Sequence, residues 1–370
     1  MDSPIIKDPA GYGLDLHCTS VLEEYCRSIP SLMSLQETVM GMIRSSLDGH
    51  NLLVAGLESR IKTEDSLAGK LKSKGSKYTS LSDITDILGA RIITFYSDDV
   101  DKVAALMEQV FVIDWENSVD KRQSHDLDSF GYMSLHYICS LPESFRDDEF
   151  PGLRSIRFEV QMRSLLQHAW ANLNHDSGYK SGIEIPRQYL RKMSRLAGIL
   201  ELADEEISAV RNETTDYRRK VRSLVGSGDF DQVQLDGESF RSYLEINPFS
   251  ALTERIAAIN QAEVVDTSLM PFLPVFLMLG CKTLGDVEAI RLECTEDAFR
   301  LAVHELGSTD LDIISASVGV QNICLVKAAS KGAGEMVIEW IFDRLYGKPG
   351  NNKAAVRRTL EHLEKLNITK

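Results

Sequence analysis

Arg157-Phe158-Glu159-Val160-Gln161-Met162-Arg163 alternates without a break. Glu159, Gln161 and Arg163 fall on one face, and Phe158, Val160 and Met162 on the other. A period of two is the signature of a strand with one packed and one polar side. Tyr132-Met133-Ser134-Leu135-His136-Tyr137 repeats it, with Tyr132, Ser134 and His136 sharing the polar face. Farther upstream, Asp86-Ile87-Leu88-Gly89-Ala90-Arg91 sets an acid and an arginine around a glycine and opens a strand expected over 90–96. Residues 111–116 read as another strand. Several strands of this kind predict a sheet whose polar face is the place for a cleft.

Helical periodicity fills the intervals. Residues 16–58 read mostly as helix, with Leu35, Val39, Met42, Ile43 and Leu47 at three- and four-residue steps. A short basic helix is expected at 64–73, and a further helix at 100–110. The stretch 164–175 is expected to bury Leu165, Leu166, Ala169, Trp170 and Leu173. A long helix over 186–224 carries an apolar stripe of Leu190, Met193, Leu196, Leu200, Ala203, Ile207 and Val210. The fold class is therefore α+β, a mixed β-sheet flanked by helices. Glycines and aspartates from Gly226 to Gly237 break the periodicity and suggest a linker at 226–238 between a first domain, 1–225, and a second, 239–370. The second reads as all-α, with helices at 251–259, 269–279, 284–292, 295–306, 311–329, 335–346 and 353–366.

Bulk properties narrow the function. A formal net charge of −14 disfavours a nucleic-acid coat protein, although a local basic patch can still hold phosphates. The six cysteines show no C-x-x-C pair or His/Cys knuckle, so neither a zinc site nor a disulfide framework is expected. Met1-Asp2-Ser3-Pro4 lacks the basic-then-apolar order of a signal peptide. The most apolar run, 269–279, is broken by Pro271 and Pro274 and is too short for a bilayer. A soluble, cytoplasmic protein without membrane contact is the expectation.

The chemistry-bearing residues cluster. Arg60, Lys62, Ser66, Lys70 and Lys72 place cations and a hydroxyl close together, and Ser66 and Lys70 lie one helical turn apart. Such a comb suits a triphosphate, although it is equally what a solvated basic helix looks like. It is not a P-loop, because Glu64 stands where the first glycine should be. Asp86 and Glu159 supply the one or two carboxylates that Mg²⁺ needs when it arrives bound to nucleotide phosphates. His168, His175 and Asp176 do not complete a coordination sphere and read as helix surface or as a contact to substrate phosphate. Tyr132, on the polar face, is available to stack on a base. Isolated acids opposite many cations point to Mg²⁺-assisted transfer of a polyphosphate.

Five segments in this order resemble the synthetase domain of the RelA/SpoT homolog family over roughly residues 35–222. They are Arg60-Ile61-Lys62 with Ser66 and Lys70; Asp86 to Arg91; Gly131 to His136; Glu159 to Arg163; and His168-Ala169-Trp170-Ala171 through His175 to Tyr179-Lys180. The resemblance implies a nucleotidyltransferase-like sheet and transfer of pyrophosphate from ATP to the 3′-hydroxyl of GDP or GTP, giving (p)ppGpp. It implies that Arg60 and Arg91 sandwich the adenine of ATP while Lys62, Ser66 and Lys70 hold its phosphates. Asp86 would bind Mg²⁺, and Glu159 would assist the metal or act as base. Tyr132, His136, Gln161 and Lys180 would meet the acceptor. Two departures fall on the acceptor side: Asp128 stands where many members have lysine, and Asn174-His175 replaces Glu-His. They leave open a toxin-like enzyme acting on the tRNA 3′ end, and a nucleotide sensor without catalysis is the further alternative. The C-terminal helices are expected to serve homo-oligomerisation, to bind a protein partner or to act as a built-in inhibitor.

Overall fold

The computed structural model describes residues 12–123, 134–146, 152–176, 187–307, 309–331, 335–347 and 351–368. The chain divides into two compact units, Met1–Arg211 and Asn212–Lys370.

The first unit begins with α1 (Leu16–Gly49), capped by the Asp15 carboxylate, which accepts from the Cys18 amide at 2.7 Å. The helix stops at Asn51, whose φ of 52° lies in the left-handed region that ends helices. Strand β1 (Val54–Ile61) follows, where helical periodicity was expected to continue to residue 58. Next come α2 (Glu64–Lys74), β2 (Leu88–Thr94), α3 (Asp99–Val110), β3 (Val112–Asp120), β4 (Leu135–Ser140), β5 (Phe158–Ser164) and α4 (Leu165–Asp176). The five strands form one sheet in the order β1-β2-β5-β4-β3. Only the β2–β5 pair is parallel, so the sheet is mixed.

Alternation decides which side of the sheet is packed. Leu88, Ala90 and Ile92 of β2, with Phe158, Val160 and Met162 of β5, are buried against α1 and α3 residues such as Leu35, Val39, Ile43, Val103 and Met107. The opposite face carries Arg91, His136, Glu159 and Gln161. Of the apolar residues expected to be buried by α4, only Trp170 is; Leu165 and Leu173 are exposed. The amphipathic stripe was read from spacing alone; Leu166 and Trp170 face Ala197 and Leu200 across a cavity, while Leu165 and Leu173 point to solvent.

The long helix α5 (Arg187–Ser227) contributes to both units. Its contacts within the first unit are polar. Ser208 Oγ accepts from the Ser97 amide at 3.2 Å, Asp204 accepts from Ser164 Oγ at 2.5 Å, and Arg211 grips Asp98 and Asp99 at 2.6 and 2.5 Å. The division of the chain thus falls inside α5 rather than in the segment expected to be a linker. Val221, Val225, Val233 and Leu235 are all buried in the core of the second unit, which makes that segment part of a domain.

The second unit contains α6 (Gly237–Glu245), α7 (Ser250–Ala257), β6 (Glu263–Val265), α8 (Leu273–Met278), α9 (Leu284–Leu306), β7 (Ile313–Ser315), α10 (Val318–Ser330), α11 (Glu335–Tyr346) and α12 (Lys353–Lys365). It is helical apart from the three-residue parallel ladder β6–β7. The two helices expected over 284–306 are one, because no residue between them breaks the backbone ladder. The start of the helix expected at 311 is instead β7. Phe240, Tyr243, Phe249 and Phe276 pack at the centre of this core. Among the described residues, no helix is long and apolar enough to cross a membrane.

Candidate functional site

On the polar face of the sheet, register builds the site. The antiparallel β1–β2 pair sets Arg60 opposite Gly89 and Glu58 opposite Arg91. The parallel β2–β5 pair sets Gly89 beside Glu159 and Arg91 beside Gln161. Glu58, Arg60, Asp86, Gly89, Arg91, Glu159 and Gln161 consequently line one open cleft of about 110 Å³. A larger cavity of about 240 Å³ lies in the same unit, between α4 and α5; of the motif segments it touches only Trp170, and neither Asp86 nor Glu159 lines it. The smaller cleft is the one lined by Asp86 and Glu159 together with Arg60 and Arg91.

Asp86 stands just before β2. The Lys62 amide bonds the Ile87 carbonyl at 2.7 Å, which holds the end of β1 against the start of β2. Lys62 Nζ then reaches Asp86 Oδ2 at 2.8 Å, and Lys70 Nζ, from α2, reaches Oδ1 at 2.8 Å. Lys70 also sits 5.2 Å from the centre of the Tyr78 ring. Burial by itself would raise the Asp86 carboxyl, but hydrogen bonds from the two lysines outweigh it and hold the group below the usual carboxylate range. Ser66 is in the first turn of α2, with its amide on the Thr63 cap and its side chain exposed. Arg60 is exposed at the cleft rim. Arg91 is held by Glu58 at 2.8 Å and by Gln161 at 3.4 Å.

Glu159 is the centre of a chain of hydrogen bonds running along the face. His136 Nδ1 lies 2.6 Å from its Oε1, and Gln161 Nε2 donates to its Oε2 at 2.8 Å. His136 Nε2 in turn meets Ser134 Oγ at 2.7 Å, and Arg163 Nη2 donates to Gln161 Oε1 at 2.9 Å. Ser134 and Arg163 are almost wholly buried, so the chain is anchored at both ends. Burial pushes the Glu159 carboxyl up, and the hydrogen bond and charge of His136 together with the Gln161 hydrogen bond outweigh this, holding it below its ordinary range. The nearby Asp86 charge acts on it in the raising direction.

The cleft thus combines two ionised acids with Arg60, Lys62, Lys70 and Arg91. Two hard oxygen donors facing phosphate-binding cations fit an Mg²⁺ ion that arrives on a nucleotide, since such an ion keeps most of its shell from phosphate and water. Among the described residues there is no group of three or more His, Cys, Asp or Glu side chains able to cage an ion unaided.

One contributor, Glu58, escaped sequence reading, and another, His168, was named there without its surroundings. Glu58 orients Arg91, and only strand register reveals the pairing. His168, on α4, responds electrostatically to Arg163, Glu58 and Arg91, and burial pushes its pKa down. Its Nδ1 is buried and has no hydrogen-bond partner, while Nε2 contacts Asn172 at 2.9 Å. A neutral imidazole with a spare polar atom is therefore turned toward the same charges. The candidate acceptor residues Tyr132 and Lys180 lie outside the described residues, as do Gly131 and Met133.

Comparison with known proteins finds similarity over this same part of the chain. Residues 59–184 match the model of the region found in RelA / SpoT proteins. GTP pyrophosphokinase YwaC of Bacillus subtilis (strain 168) is 28% identical over 173 residues, covering 45% of this chain and 78% of that protein. GTP pyrophosphokinase YjbM of the same organism is 25% identical over 157 residues, 42% of this chain and 70% of its own length. Among solved structures, small alarmone synthetase 1 from Bacillus subtilis bound to its product pppGpp aligns at a TM-score of 0.44 and 22% identity, over 52% of this chain and 99% of that one. A GTP pyrophosphokinase family protein from Streptococcus pneumoniae aligns at 0.42 and 24%, over 52% and 94%.

Proposed function

Since this chain belongs, through residues 59–184, to the RelA/SpoT family of pyrophosphokinases and alarmone synthetases, we propose that it transfers the β,γ-pyrophosphate of ATP to the 3′-hydroxyl of GDP or GTP, releasing AMP and forming (p)ppGpp. The observation that carries this reading is the convergence of Asp86 and Glu159 with Arg60, Lys62, Lys70 and Arg91 on one side of the sheet.

Arg60 and Arg91 sit on adjacent strands two residues apart in register, so their guanidinium planes are suited to flank the adenine. Lys62 and Lys70, now balanced on Asp86, are the cations for the donor phosphates, with the Ser66 hydroxyl beside them. Bound with ATP, Mg²⁺ supplies neutralisation of phosphate charge, and Asp86 and Glu159 are the side chains that would hold it. Glu159 also accepts the proton of the attacking 3′-hydroxyl, kept in orientation by His136 and Gln161. The new bond joins the acceptor 3′-oxygen to the β-phosphorus. The bond from that phosphorus to the α,β-bridging oxygen breaks, and AMP leaves with the oxygen. Alignment and charge neutralisation account for the acceleration. Tyr132 and Lys180 are proposed for the acceptor, alongside His136 and Gln161.

The test is incubation with ATP labelled in its γ-phosphate and, separately, GDP, GTP or deacylated tRNA, followed by chromatographic separation. Label in a guanine nucleotide together with stoichiometric AMP is the expected result. Label on tRNA alone would transfer the same chemistry to the other acceptor. Nucleotide binding without AMP release would make the chain a sensor.

A further inference from the structure

Resting on the reading that Arg60 and Arg91 flank the donor base, we infer that Glu58 is the residue that selects adenine there, by accepting a hydrogen bond from its 6-amino group. Strand register supplies the placement. The antiparallel β1–β2 pair makes a four-cornered patch, with Arg60 opposite Gly89 and Glu58 opposite Arg91. All four residues line the cleft. The two arginines therefore occupy one diagonal, and Glu58 and Gly89 the other. A flat ring held between the arginines lies along the second diagonal, with one edge toward Glu58 and the opposite edge toward Gly89. The two ends of that diagonal differ. Gly89 carries no side chain, and its end is the nearer one to Lys62, which follows β1, and to Asp86, which comes just before β2. Those two residues and Lys70 are joined at 2.8 Å in the place proposed for the donor phosphates. The sugar and phosphates thus leave past Gly89, and the ring edge farthest from the sugar faces Glu58. In adenine that edge carries an amino donor at position 6, whereas a guanine carries an oxygen there.

Glu58 has one oxygen to offer. Its Oε2 accepts from Arg91 Nη1 at 2.8 Å, and among the described residues its Oε1 makes no hydrogen bond. The side chain is 51% exposed, so this oxygen is open to a guest. The Arg91 anchor fixes the carboxylate, and an ionised carboxylate can only accept. A 6-amino group gives Oε1 a charge-assisted hydrogen bond, whereas a 6-oxo group sets two acceptors against each other. With Oε2 already committed, the carboxylate cannot take a two-pronged hold on the N1–H and 2-amino donors of a guanine. The selection has a use, because the proposed acceptor is itself a guanine nucleotide and must be kept out of the donor's place.

Displacement of labelled ATP from the full chain, in Mg²⁺ and without guanine nucleotide, tests this. The competitors are ATP, purine riboside triphosphate, which has no group at position 6, and inosine triphosphate, which has the 6-oxo group. Relative to ATP, the first should bind about tenfold and the second about a hundredfold more weakly. In Glu58→Gln, whose amide donates as well as accepts, inosine triphosphate should come within about threefold of ATP. Glu58→Ala should erase the preference among all three. Circular dichroism melts of both variants, expected to match the wild type, exclude misfolding as the cause. If Glu58 only steadies Arg91, the variants will weaken all three competitors by a common factor and leave their ratios unchanged, which overturns the inference. So does a wild type that binds the 6-oxo base as well as adenine. AMP release in the presence of GDP tests the transfer separately. A preference for adenine without AMP release upholds the inference and overturns the transfer, and AMP release without the preference does the reverse. Failure of ATP to bind overturns both.

Discussion

The two units of this chain use polar side chains in opposite ways. In the first, charged groups crowd an open face of the sheet and restrain one another: Lys62 and Lys70 hold Asp86, Glu58 holds Arg91, and His136 and Gln161 hold Glu159. In the second, buried polar groups close local gaps in the backbone. Ser239 caps the start of α6 through the Asp236 amide, and Asn322 donates to the Ala298 carbonyl. The core around them is aromatic and aliphatic. Groups of the first kind line or border an open cleft and are held by one another. Groups of the second kind have no task left once the chain has folded.

Mutations should separate the two cases. The largest effect is expected from Glu159→Gln, which should reduce pyrophosphate transfer by about a thousandfold, measured as initial rate of AMP release. The melting curve should stay nearly in place, since the amide still accepts from His136. A Glu159→Gln protein that unfolds readily would break the contrast. Next is Phe276→Ala in the second unit, where a wholly buried ring is deleted. A loss of about 3–5 kcal/mol in urea unfolding is expected, with the donor cleft chemically unchanged. The smallest effect comes from Asp204→Asn and sharpens the comparison inside the first unit. Burial raises the Asp204 carboxyl above its ordinary value, and the Ser164 hydrogen bond opposes this only in part. A carboxyl raised in the folded state favours folding below the unfolded pKa of about 3.9, and that contribution fades as pH rises through the folded value. The variant should therefore gain thermal stability relative to wild type at pH 7 and lose that advantage near pH 3. An advantage that is equal at both pH values would show that Asp204 is not strained by its burial.

Much of this was legible in the residues themselves. β5 and the region of β4 declared themselves by strict alternation, and with them the shared face of Glu159, Gln161 and His136. Asp86 and the lysines near it were readable as a charge constellation. What spacing could not supply was register: nothing local says that Glu58 faces Arg91, or that Arg60 rises from a strand at all. Leu52 to Ile61 follows a long helix with no proline between, and the stop signal is the single left-handed Asn51. The linker failed for a similar reason. Val233 and Leu235 are too few to register as a pattern, yet each is buried in the core of the second unit.

Gly89 lies in β2 between Asp86 and Arg91, on the cleft side and level with Glu159. A methyl group added there would touch no neighbouring atom. The architecture is thus indifferent to what occupies this position, whereas the chamber in front of it is not. Bulk introduced at this one point would act as a stopper, shrinking the room for a guest while the scaffold remained sound, and it offers a direct way to separate the ability to fold from the ability to admit a nucleotide.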